Sequence, residues 1–133
     1  MKYMLDTNIC IYIIKQKPIR IVKRLRTFSI SDIGISAITL SELEYGVEKS
    51  QKKQQNRLAL TQFLTPLEIE SFDESAARIY GEIRSYLERN GFPIGSLDIL
   101  IAAHALSQEA ILVTNNEKEF SRVPGLVVEN WVK

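Results

Sequence analysis

A chain of 133 residues, 45% hydrophobic and 25% charged, is long enough to bury about two thirds of its unfolded surface, and a single domain over residues 1–133 is the expectation. One cysteine, Cys10, excludes an internal disulfide, and one histidine, His104, leaves no ligand set for zinc, so a reducing cytoplasm is the expected home. The formal net charge of +1 hides segregation: Ile9 to Ser31 carries Lys15, Lys17, Arg20, Lys23, Arg24 and Arg26 without an acid, a second basic run holds Lys49, Lys52, Lys53 and Arg57, and Glu68 to Glu88 is mainly acidic.

Residues 2–6 (KYMLD) read as a short strand and 7–14 as an apolar helix, which leaves Asp6 at the junction. An ionised carboxylate inside an apolar run costs several kcal/mol unless something pairs with it, so the chain turns at Asp6 or a partner is present. The same acid breaks the only N-terminal apolar stretch well short of the roughly 18 residues of a membrane helix. Pro18 then starts a second helix with Ile19, Val22 and Leu25 on one face and the basic residues on the other. Residues 33–38 (IGISAI) are a small-residue strand, and a long helix follows from about Thr39 to Leu64, closed by Pro66.

A strand is expected at 67–71 (LEIES), after which Asp73 caps a helix running to about Asn90, with Gly91 supplying the left-handed residue that ends it. Leu97 to Leu106 (LDILIAAHAL) is apolar nearly all round and reads as a buried central helix; His104 within it is expected to be a satisfied core residue. A strand at 110–114 (AILVT), a short helix near 116–121 and a strand at 126–130 (LVVEN) complete the chain. Strands alternating with helices imply an α/β three-layer sandwich, a mostly parallel central sheet flanked by helices.

In such sheets ligand crevices form outside the carboxyl ends of the strands, and four acids fall near such ends. Asp6 follows the first strand, Glu42 lies in the first turn of the long helix, Asp98 in the first turn of the buried helix, and Glu119 follows the strand AILVT with Asn116 between. Each has an ordinary alternative. Asp6 can cap its helix, TLSE (Thr39 to Glu42) fits a capping box, Asn116 and Glu119 fit another, and Asp98 suits its helix dipole. Caps need only Ser, Thr or Asn, however, and Thr7, Thr39 and Ser96 already stand beside the acids. Carboxylates that converge without Lys or Arg repel one another unless a cation lies between them, and hard divalent ions such as Mg²⁺ or Mn²⁺ take these oxygen ligands. No glycine-rich phosphate loop and no Ser/His/Asp arrangement is present.

MLDTN (Met4 to Asn8), ELEYG (Glu42 to Gly46), GSLDILIAAHA (Gly95 to Ala105), LVTNNEKEF (Leu112 to Phe120) and the closing VPGLVVENW (Val123 to Trp131) together resemble PIN-domain ribonucleases, specifically the VapC-type toxins of bacterial toxin–antitoxin pairs. The resemblance spans essentially the whole chain and implies a PIN-like sandwich whose acids bind Mg²⁺ or Mn²⁺ and cut RNA. By motif, Asp6 and Asp98 match the principal metal ligands and Glu42 the third acid. At the fourth position many members place an aspartate where Asn116 stands or where Glu119 stands; here only Glu119 is acidic. Glu42 or Glu119 is the candidate for orienting the attacking water, and Thr7, Asn8, Ser96, Thr114 and Asn116 are candidate polar supports of the carboxylates, with capping as their alternative.

The resemblance further implies structured RNA as substrate, tRNA above all, with similar enteric toxins cutting initiator tRNA in the anticodon loop. It also implies a homodimer, a VapB-like antitoxin that blocks the site, and operator DNA reached only through that antitoxin. Lys15 to Arg26 and Lys49 to Arg57 are candidate RNA-holding surfaces, because an acidic site repels phosphate. Ile11, Ile14 and Ile19 are candidates for the antitoxin groove or, equally, for the core. Two other functions compete: a binding module that kept the fold without catalysis, which Asn116 leaves room for, and a phosphatase acting from Asp6, which lacks the usual second aspartate because residue 8 is Asn.

Overall fold

The computed structural model describes residues 1–133. In chain order the elements are β1 (Tyr3–Leu5), α1 (Thr7–Lys15), α2 (Ile19–Leu25), β2 (Ile33–Ser36), α3 (Ala37–Glu48), α4 (Lys53–Leu64), β3 (Glu68–Glu70), α5 (Glu74–Arg89), α6 (Ser96–Ser107), β4 (Ile111–Val113), α7 (Glu117–Phe120) and β5 (Val128–Glu129). Five strands form one sheet in the order β3-β2-β1-β4-β5, and every pairing is parallel. The expected mostly parallel sheet is therefore parallel throughout.

Strand alternation divides the core into two layers. Tyr3, Leu5, Ile33, Ile35 and Val113 face α1–α4, packing on Ile9, Ile13, Leu43, Val47 and Leu60. Met4 and Leu112 face the other way, against Ile83 and Leu87 of α5 and Ile99, Ala102, Ala103 and Ala105 of α6. The run of alanines lets α6 lie close to the sheet and to α5, which explains why a helix without a polar face is central. At Gly34 a Cβ would stand 2.9 Å from the Glu68 carbonyl oxygen, so the β2–β3 approach requires glycine.

Helix α5 is capped at its start by Asp73, whose side chain accepts from the Ala76 amide at 3.0 Å. It ends as expected at Gly91, with φ +67°, where the Phe92 amide reaches back to the Leu87 carbonyl at 2.9 Å and the Gly91 amide to Glu88 at 3.3 Å.

The expected long helix from Thr39 to Leu64 is instead two, α3 and α4, broken over residues 49–52. Neither Gly nor Pro makes the break. Ser50 turns the chain by donating its hydroxyl to the Val47 carbonyl at 2.7 Å, and α4 folds back so that Arg57 meets Glu44 and Glu48 of α3. The strand at 33–38 also stops earlier, at Ser36, whose hydroxyl caps α3 by accepting from the Ile38 amide at 3.0 Å. The TLSE capping box is therefore absent, and Glu42 lies in the second turn of α3 rather than the first. No helix is long and apolar enough to cross a membrane.

Candidate active site

Because all strands run the same way, their carboxyl ends share one edge of the sheet. The chain leaves β1 toward β2 and β3 on one side and returns to β4 and β5 on the other, so the strand order reverses between β1 and β4. Asp6 follows β1 and Thr114 follows β4, and they meet at that reversal.

Asp6 is buried, with 6% of its surface exposed. Its Oδ1 accepts from the Ile9 amide at 2.9 Å, capping α1, and its Oδ2 accepts from the Thr114 hydroxyl. The capping role and a role in the acidic cluster thus coexist on different oxygens of one carboxylate. Burial pushes the Asp6 carboxyl above its ordinary range, the hydrogen bonds from Thr114 and Ile9 pull it down, and the charge of Glu42 adds to the rise.

Asp98, half-buried in the first turn of α6, is pushed up to about 6 by burial first, then by Glu119 beside it, and then by the charges of Asp6 and Glu42. The four acids predicted from separate segments are therefore neighbours. None of them forms an ion pair with a Lys or Arg. Thr7 donates to Glu42 Oε1 at 2.6 Å, and Asn116 donates its side-chain amide to Glu119 Oε2 at 2.8 Å, so the latter pair is not a capping box. The Thr114 hydroxyl also accepts from the Asn116 amide at 2.9 Å, tying the loop after β4 to Asp6.

Asn8 and Ser96 are exposed and take no part in this network; Gly95, not Ser96, is the cap of α6. Sequence reasoning did not assign Thr39 to the site. Its buried hydroxyl has no partner, and it lies one turn before Glu42 on the same side of α3. Thr39 shares the buried stripe of α3 with Leu43 and Val47, and no hydrogen bond ties it to the acids.

His104 is fully buried in the core, with Nδ1 at 2.7 Å from the Ser36 hydroxyl and its ring edge-on to Phe72, but Nε2 has no hydrogen-bond partner, so it is not the satisfied core residue expected. Burial holds its pKa below the ordinary value, so the ring is neutral at physiological pH.

The acidic cluster has the chemistry of a hard-cation site: oxygen donors, mutual repulsion and no basic counter-charge. The acids do not close as three or more ligands around one point. That arrangement fits Mg²⁺, which keeps several waters and binds through one or two carboxylates, better than an ion that needs a complete protein cage.

Beside the acids, Ile11 and Ile14 of α1, Leu43, Gly46 and Val47 of α3 and Leu60 of α4 line an apolar groove of about 310 Å³ that reaches Glu42. Ile11 and Ile14 are half-buried and belong to both core and groove, whereas Ile19 is exposed. Within the basic run at residues 49–57, Lys53 pairs with Glu48 and Arg57 with Glu44 and Glu48, whereas Lys49 lies over the Tyr45 ring and Lys52 has no carboxylate partner.

The PIN domain family profile matches residues 3–126. Ribonuclease VapC2 of Rickettsia felis is 50% identical over 134 residues, covering 100% of both chains. The tRNA(fMet)-specific endonuclease VapC of Shigella flexneri is 44% identical over 131 residues, covering 98% of each. Among solved structures, VapBC2 of Rickettsia felis bound to a DNA fragment from its promoter superposes with a TM-score of 0.92 at 49% identity, over 98% of this chain and 99% of that one.

Proposed function

The chain belongs to the PIN-domain family, as a VapC-type ribonuclease, and from that premise we propose that it is a Mg²⁺-dependent endoribonuclease toxin that cuts tRNA, in particular the anticodon loop of initiator tRNA. The observation that carries the reading is the convergence of Asp6, Glu42, Asp98 and Glu119 on one sheet edge without a basic partner. The tRNA target is supported by the 44% identity to a tRNA(fMet)-specific endonuclease.

PIN-domain nucleases generally depend on a divalent metal. A bound Mg²⁺ supplies an activated water and counter-charge for the developing negative oxygens of the phosphate. Asp6, Asp98 and Glu42 are the residues assigned to the ion, of which one or two would bind it directly and the rest through its waters. Thr114 and Ile9 fix the two oxygens of Asp6, and Thr7 fixes one oxygen of Glu42, so these carboxylates are oriented before substrate arrives. Glu119 stands beside Asp98 and is assigned to receive the proton of the attacking water; Asn116 orients it. His104 has no part, being neutral and enclosed.

The same reading gives the protein an antitoxin partner, a homodimeric state and operator DNA reached only through the antitoxin, in keeping with the promoter-bound Rickettsia felis complex. The apolar groove that ends at Glu42 suits an apolar segment of that antitoxin, which from there would cover the site.

The test is cleavage of total tRNA by the purified protein with Mg²⁺, with EDTA, and with Asp6→Asn or Asp98→Asn. Discrete fragments that require the metal and both aspartates are expected, with ends mapping to one anticodon loop. Intact RNA that the wild type still binds would instead support a non-catalytic binding module.

A further inference from the structure

A second cleft opens on the same edge of the sheet as the acids. It encloses about 480 Å³ between α2 and the segment after β5, and its charged lining is wholly basic: Arg20, Lys23, Arg24 and Lys133, with Thr27 and Asn130 as neutral donors. Its floor is rigid. Trp131 is buried and stacked on Phe28 with ring centroids 4.9 Å apart, and its indole donates to Glu129 at 3.1 Å.

Two of the four cations are committed to carboxylates, Arg24 to Glu129 and Lys133 to Glu117. Arg20 is held by the Val132 carbonyl at 2.9 Å, which fixes its position without neutralising it, and Lys23 has no carboxylate partner. A concave surface with two uncompensated cations, one of them pre-oriented, is built for an anion.

The cleft is joined to the catalytic edge. Glu129 of β5 lies in register with Val113, the Thr114 amide donates to the Glu129 carbonyl at 3.0 Å, and Asn130 donates to Asn115 at 3.1 Å. From β1 to β5 is two strand spacings, about 10 Å, a distance that a few nucleotides of single-stranded RNA span. An RNA whose scissile phosphate sits at the acids can therefore reach this cleft with the next few nucleotides of its backbone, where the cations would offset the repulsion at the acids.

Resting on the nuclease reading above, we propose that Arg20 and Lys23, in the cleft between α2 and the segment after β5, form a phosphate subsite that binds the RNA backbone beside the cleaved bond. The subsite positions substrate and does no chemistry. Lys52 of the basic run at residues 49–57, outside this cleft and likewise without a carboxylate partner, serves as the comparison for charge alone.

The test measures binding of fluorescein-labelled, unfractionated tRNA in EDTA across a KCl series, for the wild type, Arg20→Glu, Lys23→Glu, Lys23→Arg and Lys52→Glu. The two charge reversals at the cleft are expected to raise Kd about tenfold and to lower the slope of log K against log salt by about 1, while Lys23→Arg and Lys52→Glu stay near wild type. With Mg²⁺, the reversals are expected to raise KM for tRNA and leave kcat within about twofold. The proposal is overturned if Arg20→Glu and Lys23→Glu keep the wild-type Kd and salt slope, or if Lys52→Glu weakens binding as much. It is likewise overturned if the reversals spare tRNA binding and release the antitoxin instead. A wild type that binds tRNA and cuts none overturns the nuclease reading alone, since binding in EDTA still reports on the cleft.

Discussion

Thr114 donates its hydroxyl to Oδ2 of Asp6, joining two residues 108 positions apart at the point where the strand order reverses. The bond lowers the Asp6 carboxyl pKa against the rise that burial imposes. Thr114→Val keeps the shape and removes the donor, and it also orphans the Asn116 amide that the hydroxyl accepts. Leaving a buried acceptor unmatched costs about 1–3 kcal/mol. Losing an outer hydrogen bond to a metal-binding carboxylate typically costs 10–100-fold in affinity or activity. Mn²⁺ binding by calorimetry should weaken in that range, and the acid limb of the cleavage pH profile should move to higher pH. Wild-type affinity in Thr114→Val would remove Thr114 from the site.

Asp98 gives the metal-free protein a defined pH dependence. Its carboxyl sits at about 6 in the folded state against an ordinary value of 3.8. Between those values the folded protein holds a proton that the unfolded chain has released, so the stabilisation is present at the acid end, declines as pH rises through this window and is gone above about 6. Asp98→Asn removes the repulsion from Glu119, Asp6 and Glu42. In EDTA its Tm should gain on the wild type by about 3 °C between pH 4 and pH 7, a figure that allows for screening at a half-exposed group. Saturating Mg²⁺ at pH 7.5 should raise the Tm of the wild type more than that of Asp98→Asn. A constant Tm difference across this range would mean that neither burial nor the neighbouring acids raise the Asp98 carboxyl.

The acids were legible because strand-to-helix junctions are local: Asp6 after YML and Glu119 after ILV needed only the alternation of elements. Glu42 was placed one turn early, since Ser36 resembles a strand residue until the fold supplies the Ile38 amide for it to cap. The break between α3 and α4 was illegible for a related reason. EKSQKKQ contains no helix breaker, and the reversal is held by the long-range pairing of Arg57 with Glu44. The same pairing changes the meaning of the charges, because half of a basic run on paper, Lys53 and Arg57, is matched by Glu44 and Glu48 once α4 lies on α3. By contrast, the cations of α2 face a segment more than a hundred residues away, and no local pattern shows that Lys23 and Lys133 share a cleft.

His104 offers a check on which buried polar groups are structural. With Nδ1 on Ser36 and a neutral ring, its substitution should affect stability and spare catalysis. His104→Asn, which keeps a polar atom near the position of Nδ1, is expected to cost about 1–2 kcal/mol, and His104→Ala about 3 kcal/mol because a cavity is added. Below their melting temperatures both variants should retain kcat within about threefold and an unchanged pH profile. A lost or shifted limb in that profile would make His104 a participant in proton transfer.

Gly46 separates the groove from the catalytic site. It lies on α3, lines the apolar groove with Ile11, Ile14 and Leu60, and a Cβ built there meets nothing within 4 Å. Glycine inside a helix costs about 0.5–1 kcal/mol relative to alanine, so an open position that remains glycine leaves room for something else. Gly46→Ala should raise stability by about that amount with little change in the groove. Gly46→Leu projects a branched side chain into groove space that an antitoxin segment would occupy, one turn from Glu42 on the same helix. Titrating tRNA cleavage with the cognate antitoxin should show inhibition of Gly46→Ala close to that of wild type, and inhibition of Gly46→Leu weakened at least tenfold, as expected when a core contact of a docked segment is blocked. Uninhibited kcat should be the same in all three. Equal inhibition of Gly46→Leu and wild type would place the antitoxin elsewhere, and the groove would then be no more than the seam where α4 packs on α1 and α3.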